Sequence, residues 1–176
     1  RPGAVAIVDY SAGTGTGQIQ VTSVPIDLSA LPGAGCVLDP QPEYVAIDGA
    51  AGVAYVTLQE NNAIAVIDVV GRSVISLIDC GTTSHLADAT DDGMRSVTEE
   101  YVGRREPDGI ALSADGRYLF TADEGDTSNL PEGFHAGGRT VSVWDAVSGE
   151  LLADTGDAIE RALLDAGLLD DGRSEK

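Results

Sequence analysis

The stretch PEYVAIDGAAGVAYVTLQENNAIAVID, residues 42–68, decides the fold: it holds three short runs of Val, Ile and Ala between turn residues, and it returns further along the chain. The echo is PDGIALSADGRYLFTADEGD at 107–126, followed by TVSVWD at 140–145. Laid over each other, Pro42 meets Pro107, Val45-Ala46-Ile47 meets Ile110-Ala111-Leu112, and Ile64 to Asp68 meet Val141 to Asp145. With a one-residue adjustment in the first turn, Tyr55-Val56-Thr57 falls on Leu119-Phe120-Thr121, and Glu60 falls on Glu124. An insertion at 127–139 widens the second copy. A whole unit repeated in tandem is the mark of a repeat architecture.

Outward from this pair, each unit reads as four antiparallel strands. The first has strands at 43–48, 53–59, 63–69 and 73–79, with turns at Gly49 to Gly52 and Gly71-Arg72. In the second they fall at 108–113, 118–123, 140–145 and 150–153, with Asp115-Gly116 and Ser148-Gly149 as hairpin turns. Upstream, AVAIVD at 4–9 is similar to AIAVID at 63–68, so residues 1–29 read as the last two strands of a further unit. Residues 30–80 are then the first complete blade with its linker, and 107–154 the second. Between them, 81–106 shows no alternation and reads as a long loop with one helical turn near 95–101. From 155 to 176 the period changes: Ile159, Leu163, Leu164 and Leu168 behind Thr155 and Asp157 predict a short amphipathic helix with a polar tail.

The fold class expected is all-β, a partial β-propeller of about two and a half four-stranded antiparallel blades with a short C-terminal helix. A sandwich also uses short strands but does not repeat a four-strand unit. An open arc leaves strand edges and apolar faces bare, so remaining blades or other chains of the same protein are expected to cover them. Arg1 in place of an initiator methionine, at the head of a strand, reads as a piece of a longer protein.

Composition narrows the partners. Acidic residues number 29 against 10 basic ones, for a net charge of −19, which argues against nucleic acid or an anionic membrane surface. No apolar run approaches the roughly 18 residues of a membrane span, so no direct insertion is expected. The acidity suits solubility, or alternatively cation binding.

The segments QPEYVAI, YVTLQENNAIAVID, EPDGIA and TADEGD resemble the choice-of-anchor I family, related to YVTN-type propeller repeats. The resemblance covers most of the chain. It implies a larger propeller, export, and an extracellular or cell-surface location through an anchor outside these residues. Some relatives of this kind stand beside phosphatase-like or phytase-like domains, so the resemblance does not fix an activity.

Blade geometry places the start of each first strand and the end of each second strand on one face. Glu43 and Asp108 start first strands, while Glu60, Asn61, Asn62, Glu124 and Asp126 follow second strands. Hard oxygen ligands gathered there suit Ca²⁺. Glu43, Glu60, Asp108, Glu124 and Asp126 are therefore the candidate calcium ligands; the alternative is that these groups cap strands and bond to neighbouring blades. Asn61, Asn62, Arg104 and Arg105 are the candidate ligand contacts. The leading functional expectation is a non-enzymatic surface or binding module. The alternative is part of a secreted metal-dependent phosphoesterase, in which Arg104 and Arg105, the only paired cations at this mouth, would meet the phosphate. His85 and His135 lack metal-binding spacing, and no serine lies in a nucleophile motif, so no catalytic residue is assigned. Cys80 ends the fourth strand of a blade whose linker carries Cys36, which puts both on one face; a Cys36–Cys80 disulfide is expected, against two separate buried thiols.

Overall fold

The structure, a computed structural model, describes residues 3–11, 17–31, 38–125, 133–135 and 137–171. Strands β1 (Ala4–Ser11) and β2 (Gln18–Pro25) form a two-stranded sheet. The central sheet is β3 (Val45–Asp48), β4 (Val53–Leu58), β5 (Ala63–Asp68) and β6 (Ser73–Asp79), in that spatial order. A second two-stranded sheet, β7 (Thr82–Ala87) and β8 (Glu99–Arg104), precedes the outer sheet. That outer sheet is β9 (Pro107–Leu112), β10 (Tyr118–Asp123), β11 (Val141–Asp145) and β12 (Leu151–Asp154), and helix α1 (Ala158–Asp165) follows it. Neighbouring strands within every sheet run antiparallel, as propeller blades require. No helix among the described residues is long and apolar enough to cross a membrane, which says nothing of β-barrels.

Three of the hairpin turns rest on one device. Asp48 accepts the Ala50 and Ala51 N–H groups, Asp68 that of Gly71, and Asp145 those of Val147 and Ser148. Four residues after each aspartate the backbone is left-handed, at Gly52 (φ 70°), Arg72 (φ 56°) and Gly149 (φ 73°). The aspartate thus supplies in side-chain form the turn that the chain needs to reverse.

The two complete blades superimpose without any adjustment in the first turn. Ile47 pairs with Ala54 and Leu112 with Leu119, and both hairpins close over turns of equal length, 49–52 and 114–117. Tyr55 therefore corresponds to Phe120 and Val56 to Thr121, one residue away from the pairing expected from sequence. The shift carries to the strand ends: Asn62 N–H bonds to Gln59 O and Arg139 N–H to Glu124 O, both at 2.8 Å, so Glu124 matches Gln59 and not Glu60. One residue of slip exchanges the two faces of a strand, which is why hydrophobic letters alone did not fix it.

The region 81–106, expected as a long loop with one helical turn near 95–101, is corrected to the β7–β8 hairpin, with irregular backbone between the two strands and at Gly81, Arg105 and Glu106 beside them. Its buried face is Thr83, Ala87, Tyr101 and Gly103 with His85 half-buried, so the alternation is present but is carried by small and polar residues. Gly103 has no room for a side chain, since a Cβ there would lie 2.2 Å from the Gly137 carbonyl oxygen.

Two cores hold the arc together. The face of the central sheet formed by Ala54, Val56, Leu58, Ala63, Ala65 and Ile67 packs on Val24, Ile26 and Leu28. Its other face, with Tyr55, Ile64, Val66 and Ile78, packs on Leu119 and Trp144 of the outer sheet. Burial on both faces explains the nearly unbroken apolar run of β5. Each fully buried Val, Leu or Ile among them contributes about 1.5–3 kcal/mol. Helix α1 is held differently: its fully buried side chain is Glu160, 0% exposed and paired with Arg139 at 2.7 Å.

Candidate functional site

The mouth is built where β3 and β9 begin and β4 and β10 end. Glu43 is exposed, and its N–H donates to Thr57 O at 3.0 Å. The carboxyl of Asp108 is exposed, while its carbonyl accepts the Thr57 hydroxyl at 2.9 Å. Glu60 stands exposed on a single 3₁₀ turn, Gln59–Asn61. Glu124 is half-buried, its N–H shared between the carbonyls of Arg105 (3.2 Å) and Glu106 (3.1 Å). Asp126 lies outside the described residues.

The group that joins these acids is Glu106, which the sequence placed in an irregular segment without a role. It is buried, with a φ of 47°. Asn62 Oδ1 accepts its N–H at 2.9 Å, and its Oε2 accepts the Gly137 N–H at 2.9 Å. Burial, helped by the nearby Glu60 and Glu124 charges, pushes its carboxyl up to about 7 against the opposing Gly137 N–H and Arg104. Glu60, Glu124 and Arg104 thus all lie within electrostatic reach of the Glu106 carboxyl, a residue with no pattern of its own in the sequence.

The two asparagines expected to contact ligand are interior fastenings. Asn61 accepts the Gln41 N–H (2.9 Å) and donates to Asp39 O (3.2 Å). Asn62, left-handed at φ 54°, spans from Gly81 O to the Glu106 N–H. Arg105 is equally committed. It is 4% exposed and donates to Ser142 Oγ (3.1 Å), Cys80 O (3.0 Å), Thr82 O and Asp154 Oδ2 (2.6 Å), with Trp144 beneath it. Burial would raise the Asp154 carboxyl, but the Arg105 guanidinium and the Gly156 N–H hold it below its usual range. Beside it, Asp123 accepts the hydroxyls of Thr121 (2.8 Å), Thr140 (2.5 Å) and Ser142 (2.5 Å). Burial outweighs those donors and lifts its carboxyl to about 6.

The histidines serve packing: His135 stacks on Tyr101 at 4.4 Å, and His85 meets the same ring at 5.2 Å. Burial lowers the His85 imidazole, with Glu160 and Asp154 opposing. Arg139 lies over the Tyr101 ring at 4.5 Å and seals this accessory core against α1. Cys80 is buried, and Cys36 lies outside the described residues, so their pairing is not placed. Among the described residues no three His, Cys, Asp or Glu side chains gather closely enough to hold a metal ion.

The choice-of-anchor I domain model matches residues 21–135, well over half of the chain, and the chain belongs to that family. No curated protein matches. Among solved structures, hydrazine synthase of Kuenenia stuttgartiensis is similar over 76% of this chain and 28% of its own, with 22% identity and a TM-score of 0.42. The β-propeller domain of Myceliophteria thermophila Cps50 (Swd1) is similar over 84% and 53%, with 12% identity and a TM-score of 0.30. The chain therefore spans only part of the length of either structure.

Proposed function

We propose that this choice-of-anchor I propeller module is a non-enzymatic binding or structural part of an exported, cell-surface protein, and that it presents its acidic mouth to solvent. Family membership supports export. The observation that carries the non-enzymatic reading is Arg105: of the two cations that phosphoester chemistry would draw on at the mouth, it is buried under four hydrogen bonds and shares its charge with Asp154, which leaves only the half-buried Arg104 of that pair. A buried guanidinium with four of its five N–H donors engaged inside the protein is not free to turn to a substrate phosphate. The net charge of −19 sets the module against nucleic acid and anionic lipid.

Calcium at this mouth would draw on Glu60 and Glu124, the two acids that bear on the buried Glu106 carboxyl. Calorimetric titration with calcium, on the wild type and on Glu124→Gln, tests it; heat that the substitution abolishes is the expected result. Hydrolysis of a simple aryl phosphate, assayed with and without calcium, tests the other half. Calcium-dependent turnover that falls on Arg104→Ala would replace this reading with the phosphoesterase one.

A further inference from the structure

We infer that the accessory core of His85, Tyr101, His135 and Arg139 is an acid-opened latch: it holds helix α1 against the β7–β8 hairpin while His85 is neutral and releases it when the imidazole takes a proton. The latch stands apart from the mouth and acts whether or not the module binds calcium.

Geometry isolates the imidazole. His85 lies on the buried face of β7, opposite Tyr101 of β8, and both of its ring nitrogens are buried with no hydrogen-bond partner among the described residues. A neutral ring leaves one N–H unbonded there; an imidazolium leaves two and adds a buried charge. Acids do face it, namely Glu160 on α1, Asp157 at the cap of α1 and Asp154 at the end of β12. Each is already engaged. Glu160 Oε1 accepts from Arg139 and its Oε2 from the Asp88 N–H, both at 2.7 Å. Asp157 pairs with Arg161 at 2.7 Å, and Asp154 accepts from Arg105 at 2.6 Å and from the Thr83 hydroxyl at 3.1 Å. Of the other charged or titratable groups here, Arg139 repels a proton on His85, His135 stacks on Tyr101, and Asp88 accepts the Ser96 N–H at 3.1 Å. The Tyr101 hydroxyl is bonded to Gly137 O at 2.7 Å and pushed up to about 12 by burial. A proton on His85 therefore stays unpaired or draws Glu160 away from Arg139.

Burial and Arg139 outweigh the three acids, so the imidazole is lowered from its usual 6.5. The docked state is then unpenalised above that value and penalised as pH falls below it. Helix α1 is the element that yields. Eight residues make a helix with little stability of its own. The side chain it buries fully is the charged Glu160, while Ile159, Leu163 and Leu164 are only half-buried. The blades respond in the opposite sense: burial raises Asp123 and Glu106, so acid favours their folded state over the same range. Acid thus separates the helix from a propeller that stays folded.

Hydrogen exchange of the 176-residue chain at about pH 7.5 and about pH 5, expressed as protection relative to the intrinsic rate at each pH, tests the latch. Protection in residues 158–165 should fall by about fivefold or more at the lower pH, while that of residues 63–68 does not fall. His85→Gln should abolish the difference and keep α1 protected at both values, whereas His135→Gln should retain it. In the wild type, the proton resonance of the His85 ring should titrate in step with the loss of protection. Equal protection of 158–165 at the two values, loss that survives His85→Gln, or loss that extends to 63–68 would overturn the inference. A His85 ring that titrates outside the range in which α1 is released would overturn it as well.

Discussion

The two blade interfaces share a backbone and differ in chemistry. Where the first two-stranded sheet meets the central one, Val56, Leu58 and Ala65 pack on Val24, Ile26 and Leu28. Where the central sheet meets the outer one, the same three positions are Thr121, Asp123 and Ser142, joined by hydrogen bonds to one another and through Ser142 to Arg105. The pleat decides which residues face the neighbouring blade; it does not decide whether they are hydrocarbon or a polar network. A satisfied network fixes one geometry more sharply than hydrocarbon does, but it tolerates the loss of a member badly.

The largest effect should follow from breaking the polar interface. Arg105→Ala leaves the Asp123 and Asp154 carboxylates without their guanidinium and the Cys80 and Thr82 carbonyls without a donor. The expected loss is about 3–5 kcal/mol in urea unfolding. Trp144 emission of the folded state should shift, since the ring lies 5.9 Å from that guanidinium. Leu58→Ala, at the position matching Asp123, should cost about 2–5 kcal/mol with folded-state emission unchanged. Equal emission changes in the two variants would mean that the interfaces do not act separately.

Acidity sharpens the comparison. Asp123 and Glu106 are raised from 3.8 and 4.5 to about 6 and about 7, so between those values the folded state holds protons that the unfolded state releases. Their stabilisation is complete below about pH 4 and is lost as pH rises through about 7. Asp154, held low, acts in the opposite sense only at more acidic pH. Denaturation midpoints measured from pH 4 to 7 should fall with rising pH. Asp123→Asn should remove the lower part of that slope, and Leu58→Ala should keep all of it. The smallest effect is at the rim: Arg72→Gln breaks an ion pair whose side chains are 33% and 49% exposed, and should cost less than about 1 kcal/mol.

The eight strands of the complete blades were legible because Val, Ile and Ala alternate or run together between Asp and Gly turns. The β7–β8 hairpin was not, because Thr83, His85 and Gly103 fill an interior face without looking apolar. The register of the second strands was half legible: Tyr55 and Leu119 are both large and buried, and matching them hides a slip that only the equal turns reveal. At the mouth, the sequence brought Glu60 and Glu124 to one side but not Glu106, whose place depends on Asn62 and on the Gly137 N–H, distant in the chain. Arg105 read as an available cation because nothing in its neighbours shows that Ser142 and Asp154 will enclose it.

The base of the β7–β8 hairpin is closed: Arg105 N–H reaches Gly81 O at 3.3 Å, so the chain leaves the central blade and returns to it at almost the same point. Whatever lies from 82 to 104 is therefore an excursion, not a spacer. Blade separation is set by the residues on either side of that closure, so the exposed residues 90–95 at the tip can change in length or content without altering the pitch of the arc, while Thr82 and Gly103 at the base stay tied to Arg105 and Gly137. In evolutionary terms this is a cassette position, where new surface can be acquired while the propeller that carries it stays the same.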